Sequence, residues 1–451
     1  MRIVKTPSVP AGSESGSAQA GIVGERTRMA ETGDMTTSAG GANPRDVLII
    51  ESGEGVGGSA FSMFRIIKYI DRSKYRMHAF VYYRTKVFAD IEALGVPVTV
   101  LPIRAPFPPR LPEDGTFRRC CRNYITVYGN LFVEAVCNGL KLARFIRRNR
   151  ISIIHCNNGF FENIAAVFAA RLTGTPCVAH IRGTEPLMRI ERYLNSWLRK
   201  AIVLNQQMLD EYADAFGSER VALVYNGVDL DLIDAAAGQK VREEFSIDDG
   251  TFSVGTFARI EAGKGIEEFI IAAAKASRSR DDLVFFIAGA ASPGSRLDEE
   301  YRSLAAELGI GSRVIFAGWR DDAVHCMAAM DLILQVSTTY PEGMSLAPIE
   351  AMALSKPVIV TDNPGYANIV LDNQTGFVVP MGDTDRLAEL ICRLADDRGF
   401  ARQLGRNGRR RVLEEFDYRI VARHVEDIYA EAAIECDRGL RKSLETMPRH
   451  R

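Results

Sequence analysis

Short runs rich in Val, Ile, Leu and aromatic residues, separated by stretches with helical spacing, constrain this chain more than any other feature. Such alternation reads as a parallel sheet covered by helices on both faces. Seven runs precede residue 226: DVLII at 46, MHAFVYY at 77, VPVTVL at 96, ISIIH at 151, PCVAHI at 176, AIVL at 201 and VALVY at 221. The pattern pauses in NGVDLDLIDAAAGQKVREEFSIDDG, where polar turn residues gather, and this stretch is expected to be a linker. It restarts with six more: TFSVGTF at 251, LVFFIA at 283, RVIF at 313, DLILQV at 331, PVIV at 357 and FVV at 377. The predicted fold class is α/β, with two tandem doubly wound Rossmann-like domains. Their strand carboxyl ends face a cleft, which is where such sheets bind ligands.

At 451 residues the chain exceeds one ordinary core, which agrees with two domains, expected over 46–228 and 229–415. Residues 1–45, rich in Gly, Ser, Thr and Ala and lacking the apolar centre of a secretory signal, are expected to be a disordered tail. Residues 416–451 hold a final helix, with apolar positions at Ile420, Val421, Val425, Ile428 and Tyr429, followed by a tail.

Lys plus Arg number 56 and Asp plus Glu 57, so the formal charge of -1 provides no overall field for nucleic acid or acidic lipid. The eight cysteines include no C-x-x-C pair. Most sit in apolar segments, which suits buried thiols in a reducing compartment and makes cytoplasm the expected location. The longest mostly apolar stretch, Tyr124 to Ile146, contains Glu134, Asn138, Lys141 and Arg144, each costly in hydrocarbon, so it predicts an amphipathic helix and no membrane span. Arg147, Arg148 and Arg150 at its end either solvate the helix or form a patch facing a membrane.

The most informative segment is PEGMSLAPIEAMALSKPVIVTDNPGYANIVLDNQTGFVVPMGD, from Pro341 to Asp383. Glu342 falls in a loop after the strand DLILQV, and Glu350, eight residues on, about one turn inside the following helix. The backbone N–H groups of Gly343, Met344, Ser345 and Leu346 and the positive helix end suit a diphosphate. An ionised carboxylate at Glu342 suits a polyhydroxylated sugar, and one at Glu350 a ribose. Either glutamate alone could simply compensate the helix dipole; the combination carries the argument.

In VGTFARIEAGKGIEEFI, 254–270, Arg259 and Lys264 follow the first strand of the second half, and two cations at a strand's carboxyl end also suit a diphosphate. The alternative is a solvated charge pair with Glu261 or Glu267. GEGVGGSAF at 53–61 is a glycine loop in which Gly57 and Gly58 would let a substrate or phosphate approach the backbone. It is not a full G-x-G-x-x-G and does not support a nicotinamide site. His155 and His180 each end a predicted strand; His180 is favoured for chemistry because Arg182 and Gly183 follow it in a loop. Asp229 and Asp231 form a D-x-D in the linker, away from any strand end, so no metal is assigned to them.

Taken together these segments resemble the retaining glycosyltransferases of family four, which have the GT-B fold. The matching features are GGS at 57–59, HIRG at 180–183, NGVD at 226–229, Arg259 with Lys264, the E-x7-E pair Glu342 and Glu350, and TGFVVPMGD at 375–383. The resemblance implies that Arg259 and Lys264 bind the diphosphate of a nucleotide-sugar donor, Glu342 the transferred sugar and Glu350 the ribose. Gly343 to Leu346 would serve sugar and phosphates, and His180 would sit near the reacting centre. It further implies an acceptor-side first domain, a donor-binding second domain, a final helix crossing back to the first, retention of configuration, and no metal or other cofactor.

The implied partners are the nucleotide-sugar donor and a carbohydrate or lipid-linked acceptor in polysaccharide or glycolipid assembly. Contact with a membrane's inner face is compatible with this setting, and nucleic acid is not implied. Competing readings are a nucleotide-sugar epimerase of the same two-domain plan and a non-catalytic nucleotide-sugar-binding protein. A glycoside hydrolase using Glu342 and Glu350 ranks last, because nothing places those carboxylates on either side of one bond.

Overall fold

The computed structural model describes residues 43–52, 58–83, 86–100, 117–183, 189–339 and 342–445. The disordered-tail expectation falls on residues 1–42 outside this set, although Arg45 already opens the first strand. Gly57 also lies outside it.

Strands β1 (Arg45–Glu51), β2 (Tyr75–Val81), β3 (Val98–Val100), β4 (Ile153–Cys156), β5 (Cys177–His180), β6 (Lys200–Val203) and β7 (Val221–Leu223) form one parallel sheet in the order β3-β2-β1-β4-β5-β6-β7. Between them run α1 (Gly58–Tyr69), α2 (Lys86–Ala93), α3 (Phe117–Arg148), α4 (Ile164–Thr173), α5 (Arg189–Leu194) and α6 (Gln206–Phe216). The second parallel sheet contains β8 (Phe252–Phe257), β9 (Leu283–Ala288), β10 (Val314–Gly318), β11 (Leu332–Gln335), β12 (Val358–Thr361) and β13 (Gly376–Val379), in the order β10-β9-β8-β11-β12-β13. Its helices are α7 (Gly238–Glu244), α8 (Ile266–Ala276), α9 (Leu297–Glu307), α10 (Ala323–Ala329), α11 (Ala347–Ala353), α12 (Thr384–Asp396) and α13 (Arg398–Arg411), and α14 (Tyr418–Glu445) ends the described chain.

Every strand anticipated from the apolar runs is present. The reason is visible in β1: Leu48 and Ile50 join a core on one face, Val47 and Ile49 a core on the other, so positions 47–50 leave none for water. The stretch 226–250 is more than a linker. It contains α7, whose Val241 is buried and whose Arg242 donates to the Ala329 carbonyl at 2.9 Å.

Two crossing segments run side by side. Val228 N donates to Phe416 O at 2.8 Å and Tyr418 N to Val228 O at 3.1 Å. From there α14 packs against the first sheet, burying Val421, Val425, Ile428 and Tyr429 beside Val47, Ile49 and Ile153. The D-x-D carboxylates fasten this junction: Asp229 accepts from Lys68 at 2.7 Å, and Asp231 from Arg419 at 2.8 Å and Tyr69 at 2.9 Å. No helix among the described residues is long and apolar enough to cross a membrane.

Candidate active site

In the second sheet β8 and β11 are neighbours although β9 and β10 separate them in sequence. Strand order reverses there, which in doubly wound sheets is the place at the carboxyl edge where ligands bind. Lys264 lies in the loop after β8 and Glu342 in the loop after β11, and Lys264 Nζ donates to Glu342 Oε1 at 2.7 Å. Backbone geometry aims the lysine. Gly265 has φ +79°, and a Cβ there would overlap the Val336 carbonyl beyond β11. Thr338 N also donates to Gly263 O at 2.8 Å, pinning the turn onto the neighbouring loop.

Glu342 is held from below. Ser337 Oγ donates to its Oε1 at 2.9 Å, and Tyr366 OH donates to Ser337 Oγ at 2.9 Å. Burial pushes the Tyr366 phenol well above its ordinary range, which keeps it a donor. Gly365 allows this approach, since a Cβ there would overlap Glu342. Sequence reasoning passed over Ser337, Gly365 and Tyr366. The available signal was the N-P-G-Y turn directly after β12.

Arg259 follows β8 but pairs with Glu261 Oε1 at 2.7 Å, its side chain half exposed. The structure thus brings Lys264 and Glu342 into contact, while Arg259 makes the charge pair that the sequence left open as an alternative.

The loop after Glu342 meets the first domain. Gly343 O accepts from Asn205 Nδ2 at 2.7 Å, and Asn226 N reaches Met344 Sδ at 3.0 Å. A Cβ on Gly343 would overlap the Arg182 carbonyl. Asn205, Asn226 and Arg182 follow β6, β7 and β5, so the carboxyl edges of the two sheets oppose each other. Ser345 N reaches the Gly365 carbonyl only at 3.4 Å, and the amides of Gly343, Met344 and Leu346 have no backbone acceptor among the described residues. Glu350 lies in the first turn of α11, with Oε1 3.7 Å from Arg65 NH2. Burial pushes its carboxyl up, and the Arg65 guanidinium opposes that shift.

At the reversal point of the first sheet, between β1 and β4, lies a polar cluster that sequence reasoning missed. The buried Glu51 carboxylate accepts from Asn157 Nδ2. Arg182 donates through Nε to Asn157 O at 2.7 Å, through NH1 to Asn226 Oδ1 at 3.0 Å and through NH2 to Asn157 Oδ1 at 2.9 Å. Arg182 therefore ties two strand ends of the first domain to Asn226, which contacts the Met344 loop. His180 lies beneath it, 1% exposed, with Nδ1 3.2 Å from Arg182 NH2. Burial first, then the Arg182 charge, drives its pKa well below the ordinary value, so the ring is neutral. Its Nε2 is buried without a partner among the described residues. His155, one strand over, bonds Tyr429 OH at 2.7 Å through Nδ1 and holds α14 to β4. Gly58 opens α1, and nothing described crowds it.

Among the described residues no group of three or more His, Cys, Asp or Glu side chains is placed to hold a metal ion. The available chemistry is that of a cation and a carboxylate in contact at a sheet's carboxyl edge, beside the amides of Gly343, Met344 and Leu346, which have no backbone acceptor among the described residues.

Comparison with known proteins gives the family and the fold. The family described as Glycosyltransferase Family 4 matches residues 56–232, and Glycosyl transferases group 1 matches residues 239–411. The UDP-Gal:alpha-D-GlcNAc-diphosphoundecaprenol alpha-1,3-galactosyltransferase of Escherichia coli is 23% identical over 334 residues, covering 67% of this chain and 84% of its own. Among solved structures, a glycosyltransferase from Rickettsia africae superposes with a TM-score of 0.74 at 17% identity, over 87% of this chain and 99% of its own. Anabaena HepE in complex with UDP and glucose superposes at 0.68 with 21% identity, over 85% and 99%. The chain belongs to the family 4, group 1 glycosyltransferases, with their two-domain GT-B fold. It is a glycosyltransferase.

Proposed function

We propose that this enzyme binds a nucleotide-diphosphate sugar at the loops after β8 and β11 and transfers the sugar, with retention, to a hydroxyl of a carbohydrate or lipid-linked acceptor held against the first sheet's carboxyl edge. The observation that carries the reading is the Lys264–Glu342 contact at the reversal point of the second sheet. An ammonium has three donors, so Lys264 can keep Glu342 while binding a phosphate oxygen, and the Glu342 carboxylate accepts sugar hydroxyls beside it. Arg259 adds a second cation by leaving Glu261 for the diphosphate. The relatives support the donor class: the E. coli enzyme is named for UDP-galactose, and HepE was solved with UDP. The same E. coli name, with its diphosphoundecaprenol-linked acceptor, supports a role in polysaccharide or glycolipid assembly.

In the proposed reaction the bond from the anomeric carbon to the diphosphate breaks and a bond from that carbon to the acceptor oxygen forms on the same face. The acceptor proton passes to a phosphate oxygen of the departing nucleotide diphosphate. Lys264, and Arg259 once it has moved from Glu261, stabilise charge developing on the leaving group, and no metal or other cofactor is assigned a step. Neutral His180 supports Arg182 at the acceptor edge instead of exchanging a proton at neutral pH.

Membrane contact belongs to the outer face of α3, where Phe132 and Leu140 are 69% and 55% exposed and Arg144, Arg147 and Arg148 follow. Lipid-linked acceptors would be reached from a membrane's inner face.

The test is to incubate the enzyme with UDP-, GDP- and ADP-sugars, with and without an acceptor panel, and to follow sugar transfer and nucleotide diphosphate release. Acceptor-dependent transfer that survives EDTA is expected. Conversion of donor without acceptor would instead identify an epimerase, and binding without turnover across the panel a non-catalytic protein.

A further inference from the structure

One face of α1 carries a polar stripe. Ser62, Arg65 and Tyr69 fall at helical spacing on it, and each meets a residue of the chain beyond β7. Ser62 Oγ is 2.6 Å from Tyr418 OH, and Tyr69 OH bonds Asp231 at 2.9 Å. Arg65, at 8% exposure, stacks 5.6 Å from the Tyr418 ring centroid and places NH2 3.7 Å from Glu350 Oε1. Its NH1 is buried with no hydrogen-bond partner among the described residues. A buried guanidinium with an idle donor is costly, and an inter-domain ion pair does little for stability by itself.

We propose that Arg65 is a positioning residue for the donor nucleotide: α1 of the first domain supplies the cation that fixes the Glu350 carboxylate for the ribose, so both domains set donor affinity. The inference rests on the donor-site reading above. Glu350 lies in α11 with its side chain 15% exposed, and three arginines packed near that helix are engaged elsewhere. Arg409 reaches the Ala353 carbonyl, Arg411 reaches Asn368 O, Ile369 O and Glu415, and Arg182 holds Asn157 and Asn226. Arg65 is the charge opposing the effect of burial on Glu350. Without it the carboxyl gains a proton more readily and loses an acceptor for the ribose hydroxyls.

The experiment is calorimetric titration of UDP, GDP and ADP into wild type, Arg65→Met, Arg65→Lys, Glu350→Gln and the double variant Arg65→Met/Glu350→Gln, at pH 6.5, 7.5 and 9.0. For the nucleotide that binds wild type, Arg65→Met should weaken affinity about tenfold at pH 6.5, with the loss shrinking as pH rises. Glu350→Gln should be weak at every pH, and the double variant no weaker than Glu350→Gln alone. Arg65→Lys, which keeps the charge, should show no such pH dependence, and it decides the matter if Arg65→Met does not fold. Unchanged affinity in Arg65→Met, a loss equal at all three pH values and additive with Glu350→Gln, or a pH-dependent loss in Arg65→Lys overturns the inference. Failure of wild type to bind any of the three nucleotides removes the donor-site reading itself, and this inference with it.

Discussion

Lys264 and Glu342, 78 residues apart in sequence, form a 2.7 Å ion pair in which the two side chains are only 11% and 12% exposed. A shielded pair of this kind ties the fate of each charge to the other. Lys264→Ala should lower kcat by two to three orders of magnitude, about 3 kcal/mol of transition-state stabilisation, and Glu342→Gln should cost at least tenfold. The double variant should fall well short of the product of the two losses, because the residues share one task. Steady-state kinetics of the four proteins, with circular dichroism to establish folding, checks this.

Arg259 differs because its side chain is half exposed and paired with Glu261. A surface pair of this kind contributes at most about 1 kcal/mol to stability, so Arg259→Ala should leave the melting temperature nearly unchanged. If the guanidinium moves to the diphosphate, kcat should nonetheless fall by about 10²-fold. Equal kcat in Arg259→Ala and wild type would remove the residue from the mechanism.

Gly343 touches the opposite domain: a Cβ there would overlap the Arg182 carbonyl. Gly343→Ala must therefore separate the Glu342 loop from the first domain or distort it, at a cost of about 1–3 kcal/mol. Expected is a loss of activity of at least tenfold with both sheets intact, read as wild-type far-UV dichroism beside a reduced kcat/KM.

His155 and His180 are buried in neutral form, with His155 pushed down to about 3 by burial and the nearby Arg182 charge, and His180 well below its ordinary value. Below about pH 6.5 the unfolded chain binds protons at these rings and the folded chain does not, so stability is complete above that pH and lost as pH falls. Each ring steepens the loss by up to about 1.4 kcal/mol per pH unit. Urea unfolding between pH 7.5 and 4.5 should show this slope, and His155→Gln should flatten it.

The element order was legible because parallel strands buried on both faces are continuous apolar runs, as β4, β6, β11 and β12 are, while the less buried β3, β7 and β10 still read as short apolar runs. The placement of Lys264 and Glu342 in loops after β8 and β11 was legible from the flanking glycines, and that of Glu350 in the first turn of α11 from its spacing of eight from Glu342. What supports them was not. Tyr366 reaches Glu342 only through Ser337, and Arg182 joins Asn157 to Asn226, contacts that exist only once separate strands lie side by side. Arg65 reads in sequence as an ordinary charge on α1; its burial appears only when α11 and Tyr418 cover it. The placement of Arg259 on Glu261 shows the converse, because proximity to a strand end did not decide which partner a flexible cation takes.

The most direct measurement is a crystal structure of the enzyme soaked with the nucleotide diphosphate that raises its melting temperature most. The account predicts phosphate oxygens about 3 Å from Lys264 Nζ, with Glu342 left open to the sugar position and Glu350 on the ribose. Phosphates bound away from the loops after β8 and β11, with none in reach of Lys264 Nζ, would contradict it.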